Sequence, residues 1–299
     1  MKLNCVTLLG GSGFVGRTLA RRLAAAGIEV RAIGRQAEHR AVLPAGVTPW
    51  SADVHDADAM QRALSGADAA VYLPGLVQGR NRREFQRIHV DAARACAQAA
   101  RAQGLPRFIY VSALGARADA SALADQTKAL GEQAVAGAFP GAGIVRSSLV
   151  LGPDDHFSGP MARLMRRVPV LPVIGPGTLV QPLHVDDLAE GLHAMLRRDD
   201  TTGLTCDAAG PARHTMLELL DRIRGAASAR CRLLALPEWA ALGLATITEP
   251  LPGRPLCRDQ VRLMRTHKVP DGEHPTLTDL GIHTRDPLSA LAELVAKAG

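Results

Sequence analysis

The chain has 299 residues, 47% of them apolar and only 3% aromatic, so a substantial core is available and must be filled mainly by Ala, Leu and Val. Its formal net charge is +6, but no aromatic residues interleave with the arginines and no nucleic-acid-binding motif occurs, which argues against nucleic acid as a partner. Five scattered cysteines form no C-x-x-C pair and the ten histidines show no ligand spacing, so no metal site or disulfide framework is expected; Met1-Lys2 runs straight into a strand, and a cytoplasmic protein without a signal peptide is the reading.

In chain order, strands are predicted at 6–9, 29–33, 47–50, 69–73, 108–112 and 144–150, several of them continuous apolar runs of the kind buried on both faces. Helices are predicted at 14–26, 84–103 and 121–136 between them. This alternation implies an α/β fold, a Rossmann-type doubly wound parallel sheet. After Leu151-Gly152-Pro153 prolines become frequent and the alternation breaks down. The expected organisation is a dinucleotide-binding domain over 1–152, to which the chain returns near 180–200, and a smaller mixed C-terminal lobe for substrate or partner over 153–299. A helix at 188–196 belongs to that return.

Between the first strand and first helix lies Gly10-Gly11-Ser12-Gly13-Phe14-Val15-Gly16. A glycine turn there lets the backbone approach a pyrophosphate, and the helix N-terminus supplies free N–H groups and partial positive charge. Gly10, Ser12, Gly13, Phe14, Val15 and Gly16 are therefore candidate cofactor residues. The second strand ends in Gly34-Arg35-Gln36 without an acid; the nearest is Glu38. Arg35, with Arg17 at the start of the helix, suits a ribose 2′-phosphate, so NADP(H) is preferred with NAD(H) as the alternative. Asp53 and Val54 after the third strand, and Leu73, Pro74 and Gly75 after the fourth, are expected to complete the cofactor wall.

Ser112 ends the fifth strand and Lys128 lies in the following helix, with Ala124 one turn before it. The chain resembles an atypical, extended-type short-chain dehydrogenase/reductase. Within that group it is similar to the accessory NAD(P)H-binding subunit of respiratory complex I and its bacterial relatives, which are NAD-dependent epimerase/dehydratase-like. Beyond the glycine turn, the resemblance rests on Tyr110-Val111-Ser112-Ala113-Leu114-Gly115-Ala116, Ala138-Phe139-Pro140, Val145-Arg146-Ser147-Ser148-Leu149-Val150-Leu151-Gly152-Pro153, Gln181-Pro182-Leu183-His184-Val185-Asp186-Asp187 and Leu277-Thr278-Asp279-Leu280-Gly281-Ile282. It implies that Ser112 and Lys128 are remnants of a catalytic set whose tyrosine is replaced by Ala124, with Lys128 also reaching the nicotinamide ribose. Ser147 stands where relatives commonly have proline. Tyr110, His89 and Asp125 are the other groups that could supply a proton.

Three readings follow. In the first, the protein binds NAD(P)(H) without conventional dehydrogenase chemistry, in a structural or regulatory role within a redox complex. In the second, it is an NADPH-dependent oxidoreductase or epimerase-like enzyme with a non-standard proton donor. In the third, it is a membrane-peripheral module with a vestigial pocket, docking an apolar helix within 233–252 and its neighbouring arginines on an anionic surface.

Overall fold

The computed structural model describes residues 2–35, 43–249 and 256–296; Gln36 and Glu38 lie outside them. Strands β1 (Cys5–Leu9), β2 (Glu29–Gly34), β3 (Val47–Ser51), β4 (Ala69–Tyr72), β5 (Arg107–Ala113) and β6 (Gly143–Ser147) alternate with helices α1 (Phe14–Ala25), α2 (Ala57–Leu64), α3 (Arg82–Gln86), α4 (Ala93–Ala102) and α5 (Leu123–Ala138). The chain continues through β7 (Val150–Leu151), α6 (Ser158–Arg167), β8 (Val170–Ile174), β9 (Leu179–Val180), β10 (Leu183–His184), α7 (Val185–Arg197) and β11 (Thr205–Ala208). Next come β12 (His214–Thr215), α8 (Met216–Ala226), β13 (Arg232–Leu236), α9 (Glu238–Thr248), α10 (Arg258–Leu263) and α11 (Leu291–Ala296).

Seven parallel strands form the central sheet in the order β11-β6-β5-β4-β1-β2-β3. The order reverses beside β1, and ligands of such sheets bind at that switch point, outside the carboxyl ends of the strands. One face packs against α1 and α7 through Leu19, Leu23, Leu188 and Leu192. The other packs against α2, α4 and α5 through Met60, Ala97, Tyr110 and Val135. A separate core joins α6, α8 and α11 to β8.

Four local features differ from the sequence expectation. The 144–150 strand breaks at Ser147, and Val150 and Leu151 pair with β10 instead of the central sheet. The 84–103 helix contains a π turn, Arg87–Ala92, between α3 and α4. Helix α2, capped by the Asp56 carboxylate accepting from Ala59 N–H, is additional. The apolar run from 233 starts as a strand, β13, and becomes a helix only beyond Pro237. Proline there has no N–H to donate, so it suits the first turn of a helix and not a continuing ladder.

The π turn has an identifiable structural use. Wide turns release carbonyls from the ordinary helical ladder. Tyr72 donates its hydroxyl to Ile88 O at 2.6 Å, and Tyr110 donates its hydroxyl to His89 O at 3.1 Å. Helix α5 crosses this bulge closely at Gly131, where a Cβ would stand 2.2 Å from His89 O.

Candidate dinucleotide site

A cleft of about 980 Å³ opens at the switch point, near the upper end of the ~300–1,000 Å³ range of small-molecule sites. Gly10, Ser12, Gly13, Phe14, Val15, Gly16, Arg35, Asp53, Val54, Leu73, Pro74 and Gly75 all line it. The glycines have separate roles. Gly10 adopts φ +81°, which turns the chain out of β1. A Cβ on Gly16 would lie 2.6 Å from Gly10 O, so the helix can approach the turn only without one.

Helix α1 begins at the N-cap Gly13, has no side-chain cap and carries no acidic residue in its first turn. Its open N–H groups and partial positive charge face the cleft, which fits a diphosphate. Arg35 lines the cleft, whereas Arg17 donates Nη1–H to Ser12 O at 3.0 Å and lies 3.6 Å from Asp154. Asp53 lines the cleft and accepts from His55 N–H at 3.0 Å through Oδ1.

His55, Arg87 and His156 also line the cleft and were absent from the sequence expectation. Burial lowers the His55 pKa, and the neighbouring Arg87 and Arg35 guanidiniums lower it further. Arg87 therefore shares the end of the cleft that holds Arg35. His156 packs edge-on against Phe14, with ring centroids 6.4 Å apart. Its signal in the sequence was only proximity to Gly152-Pro153.

Lys128 stands behind the cleft wall. It is buried, donates to Val111 O at 2.7 Å and Pro74 O at 3.4 Å, and lies 4.8 Å above the Tyr110 ring. A Cβ on Gly75 would come within 3.4 Å of its Nζ, so one wall glycine separates amine from cleft. Burial lowers the Lys128 pKa to about 8. Ser112 Oγ is buried without a hydrogen-bond partner among the described residues. An orphan hydroxyl at the end of β5 is a group that a ligand atom can satisfy.

His89 and Asp125 are both engaged. His89 does not line the cleft; it is fully buried, and desolvation lowers its pKa to about 2. Leu76 N–H donates to its Nε2 at 2.8 Å, which leaves Nδ1–H to donate to Thr127 Oγ1 at 2.8 Å. Thr127 in turn donates to Leu123 O at 2.6 Å. The ring thus fixes the loop after β4 and has no proton for a substrate. Asp125 pairs with Lys268 at 2.5 Å. Asp259 accepts from Leu123 N–H at 2.7 Å, so α10 and the turn after it close over the start of α5.

A doubly wound sheet with an uncapped, acid-free helix N-terminus over a glycine turn defines a Rossmann-type dinucleotide-binding protein. Residues 10–147 match the NAD(P)H-binding family. The chain is 35% identical over 248 residues to a ceramide reductase of Caulobacter vibrioides, covering 82% of this chain and 77% of that one. It is 28% identical over 285 residues to the mouse mitochondrial NADH dehydrogenase [ubiquinone] 1 alpha subcomplex subunit 9, covering 92% and 75%. An epimerase structure from Methanothermobacter thermautotrophicus superposes with TM-score 0.76 at 17% identity, over 99% of this chain and 93% of that one. The chain belongs to the atypical, extended short-chain dehydrogenase/reductase superfamily, alongside the complex I accessory subunit and its relatives.

Proposed function

We propose that this protein holds NADP(H) as a structural or regulatory ligand within a redox protein complex and does not reduce carbonyls by the tyrosine-dependent route. The observation that carries this reading is the fate of the phenols. The chain has two tyrosines, and both are buried with their hydroxyls donated to carbonyls of the π turn. Ala124, one turn before Lys128, has only a methyl group to present.

The α1 N-terminus is assigned to the diphosphate, Arg35 to the 2′-phosphate, and Asp53 and Val54 to the adenine end. Leu73, Pro74 and Gly75 form a wall of the cleft that would lie against the rest of the dinucleotide. A bound nicotinamide could supply or accept a hydride only if a substrate and a proton donor reached it. Ser112 offers its hydroxyl to a ligand oxygen. Lys128 holds Val111 and Pro74 in place and adds positive charge behind Gly75.

The ceramide reductase relative favours a second reading, an NADPH-dependent reductase with a displaced acid. The Asp125–Lys268 pair, at the start of α5, is then the candidate replacement. A Cβ on Gly115, three residues after Ser112, would come 3.1 Å from Lys268 Nζ.

Ala124→Tyr separates the two readings, because general acids contribute about 10²–10⁴-fold. Wild-type protein is expected to leave NADPH unconsumed across a panel of reactive ketones, and the variant to show new turnover. Wild-type turnover that the tyrosine slows would instead establish the displaced acid.

A further inference from the structure

Helix α9 is turned inside out for a helix at a protein surface. Its buried residues are two alanines, Ala241 and Ala245, which rest on a thin core with Ile174 and Val261. Leu242 packs against that core, but the other large apolar residues point outward: Trp239 is 78% exposed, Ile247 70% and Leu244 42%. Gly243 lies between Trp239 and Ile247 on the same stripe, and a Cβ there would meet nothing within 4 Å.

The strand that leads into this helix repeats the pattern. In the β13–β8 ladder Arg232 pairs with Val170 and Leu234 with Pro172. Alternation therefore places these four on one face, and all four are exposed, while Leu171 and Val173 on the opposite face are buried.

The surroundings are cationic. The described residues of 230–268 contain six Lys and Arg against three Asp and Glu. The two acids of α9 and its C-cap are paired, Glu238 with Arg265 and Glu249 with Arg258. Arg230, Arg232 and Arg262 are exposed. An uncharged apolar face carrying a tryptophan and bordered by arginines matches an anionic bilayer, where the ring sits at headgroup depth and the guanidiniums meet phosphate. The helix is too short to span, and no helix among the described residues is long and apolar enough to cross a membrane.

We infer that the outward faces of α9 and β13 form a docking surface for an anionic lipid bilayer.

The test is co-sedimentation of the whole protein with vesicles of phosphatidylcholine alone or mixed with phosphatidylglycerol, together with tryptophan emission. The protein is expected to pellet with the mixed vesicles, with a blue shift that disappears in Trp239→Ser. Trp239→Ser/Ile247→Ser is expected to weaken binding at least ~10-fold. Arg230→Glu/Arg232→Glu should weaken it about fivefold or more for each cation removed. Unchanged NADPH binding by each variant, measured in parallel, shows that it is folded. Wild-type protein that ignores both kinds of vesicle overturns the inference and leaves an acidic protein surface as the occupant. Equal binding by the apolar double variant overturns it as well.

Discussion

At the scale of single residues, charge placement underlies the proposed cofactor choice and part of the pH response. Arg35 is the group assigned to the 2′-phosphate, and hydrogen bonds to charged groups contribute about 1.5–3 kcal/mol. Calorimetry on Arg35→Ala should show NADPH binding weakened by that amount and NADH binding nearly unchanged; equal losses would remove Arg35 from the phosphate. Asp207 presents a different problem. Its side chain is buried on β11, Oδ1 has no partner among the described residues, and desolvation raises its pKa to about 6. A raised folded-state pKa means that the folded chain keeps its proton where the unfolded chain has lost it. The stability gained from that proton is present at low pH and lost as pH rises from about 4 to about 6. Asp207→Asn should therefore be more stable than wild type by about 1–3 kcal/mol at pH 7 and similar to it near pH 4, measured by denaturant unfolding. A constant difference across that window would rule out titration as the cause.

At the scale of elements, contacts distant in sequence position the start of α5. Burial raises the Asp125 pKa, and the Lys268 ammonium opposes the shift. Lys268→Met leaves a buried carboxylate without its cation, a change that typically costs about 3–5 kcal/mol. Adding Asp125→Asn should recover most of that loss. If the single and double variants unfold alike, the pair does not hold α10 and its following turn to α5.

The same scale explains what the sequence revealed. Strands β1, β4 and β5 were legible because sheets covered on both faces demand continuous apolar runs, and the edge strand β3 from its place between turn signals. Strand β11 was not, since Thr205-Cys206-Asp207-Ala208 is short and carries a carboxylate. The glycine turn and its flanking residues were legible because they are contiguous. His55, Arg87 and His156 were missed because tertiary folding brings them to the cleft from separate loops and helices. The π turn has no sequence signature of its own; its stabilisers, Tyr72 and Tyr110, sit on two different strands. Pro237 was the available warning that the apolar run beyond 233 would not form one helix.

At the scale of the whole molecule, the sheet and the cleft make a dinucleotide-binding protein, and under the proposed function it has no phenol to protonate a substrate. The relatives include both a reductase and respiratory-complex subunits, so the superfamily alone does not select between turnover and assembly. Mass analysis of nucleotide released on denaturing the purified protein tests dinucleotide binding at the cleft. NADP(H) is expected in an amount approaching one per chain, or uptake to that level when NADPH is supplied and excess removed. Protein that releases no dinucleotide and retains none after loading would contradict that binding.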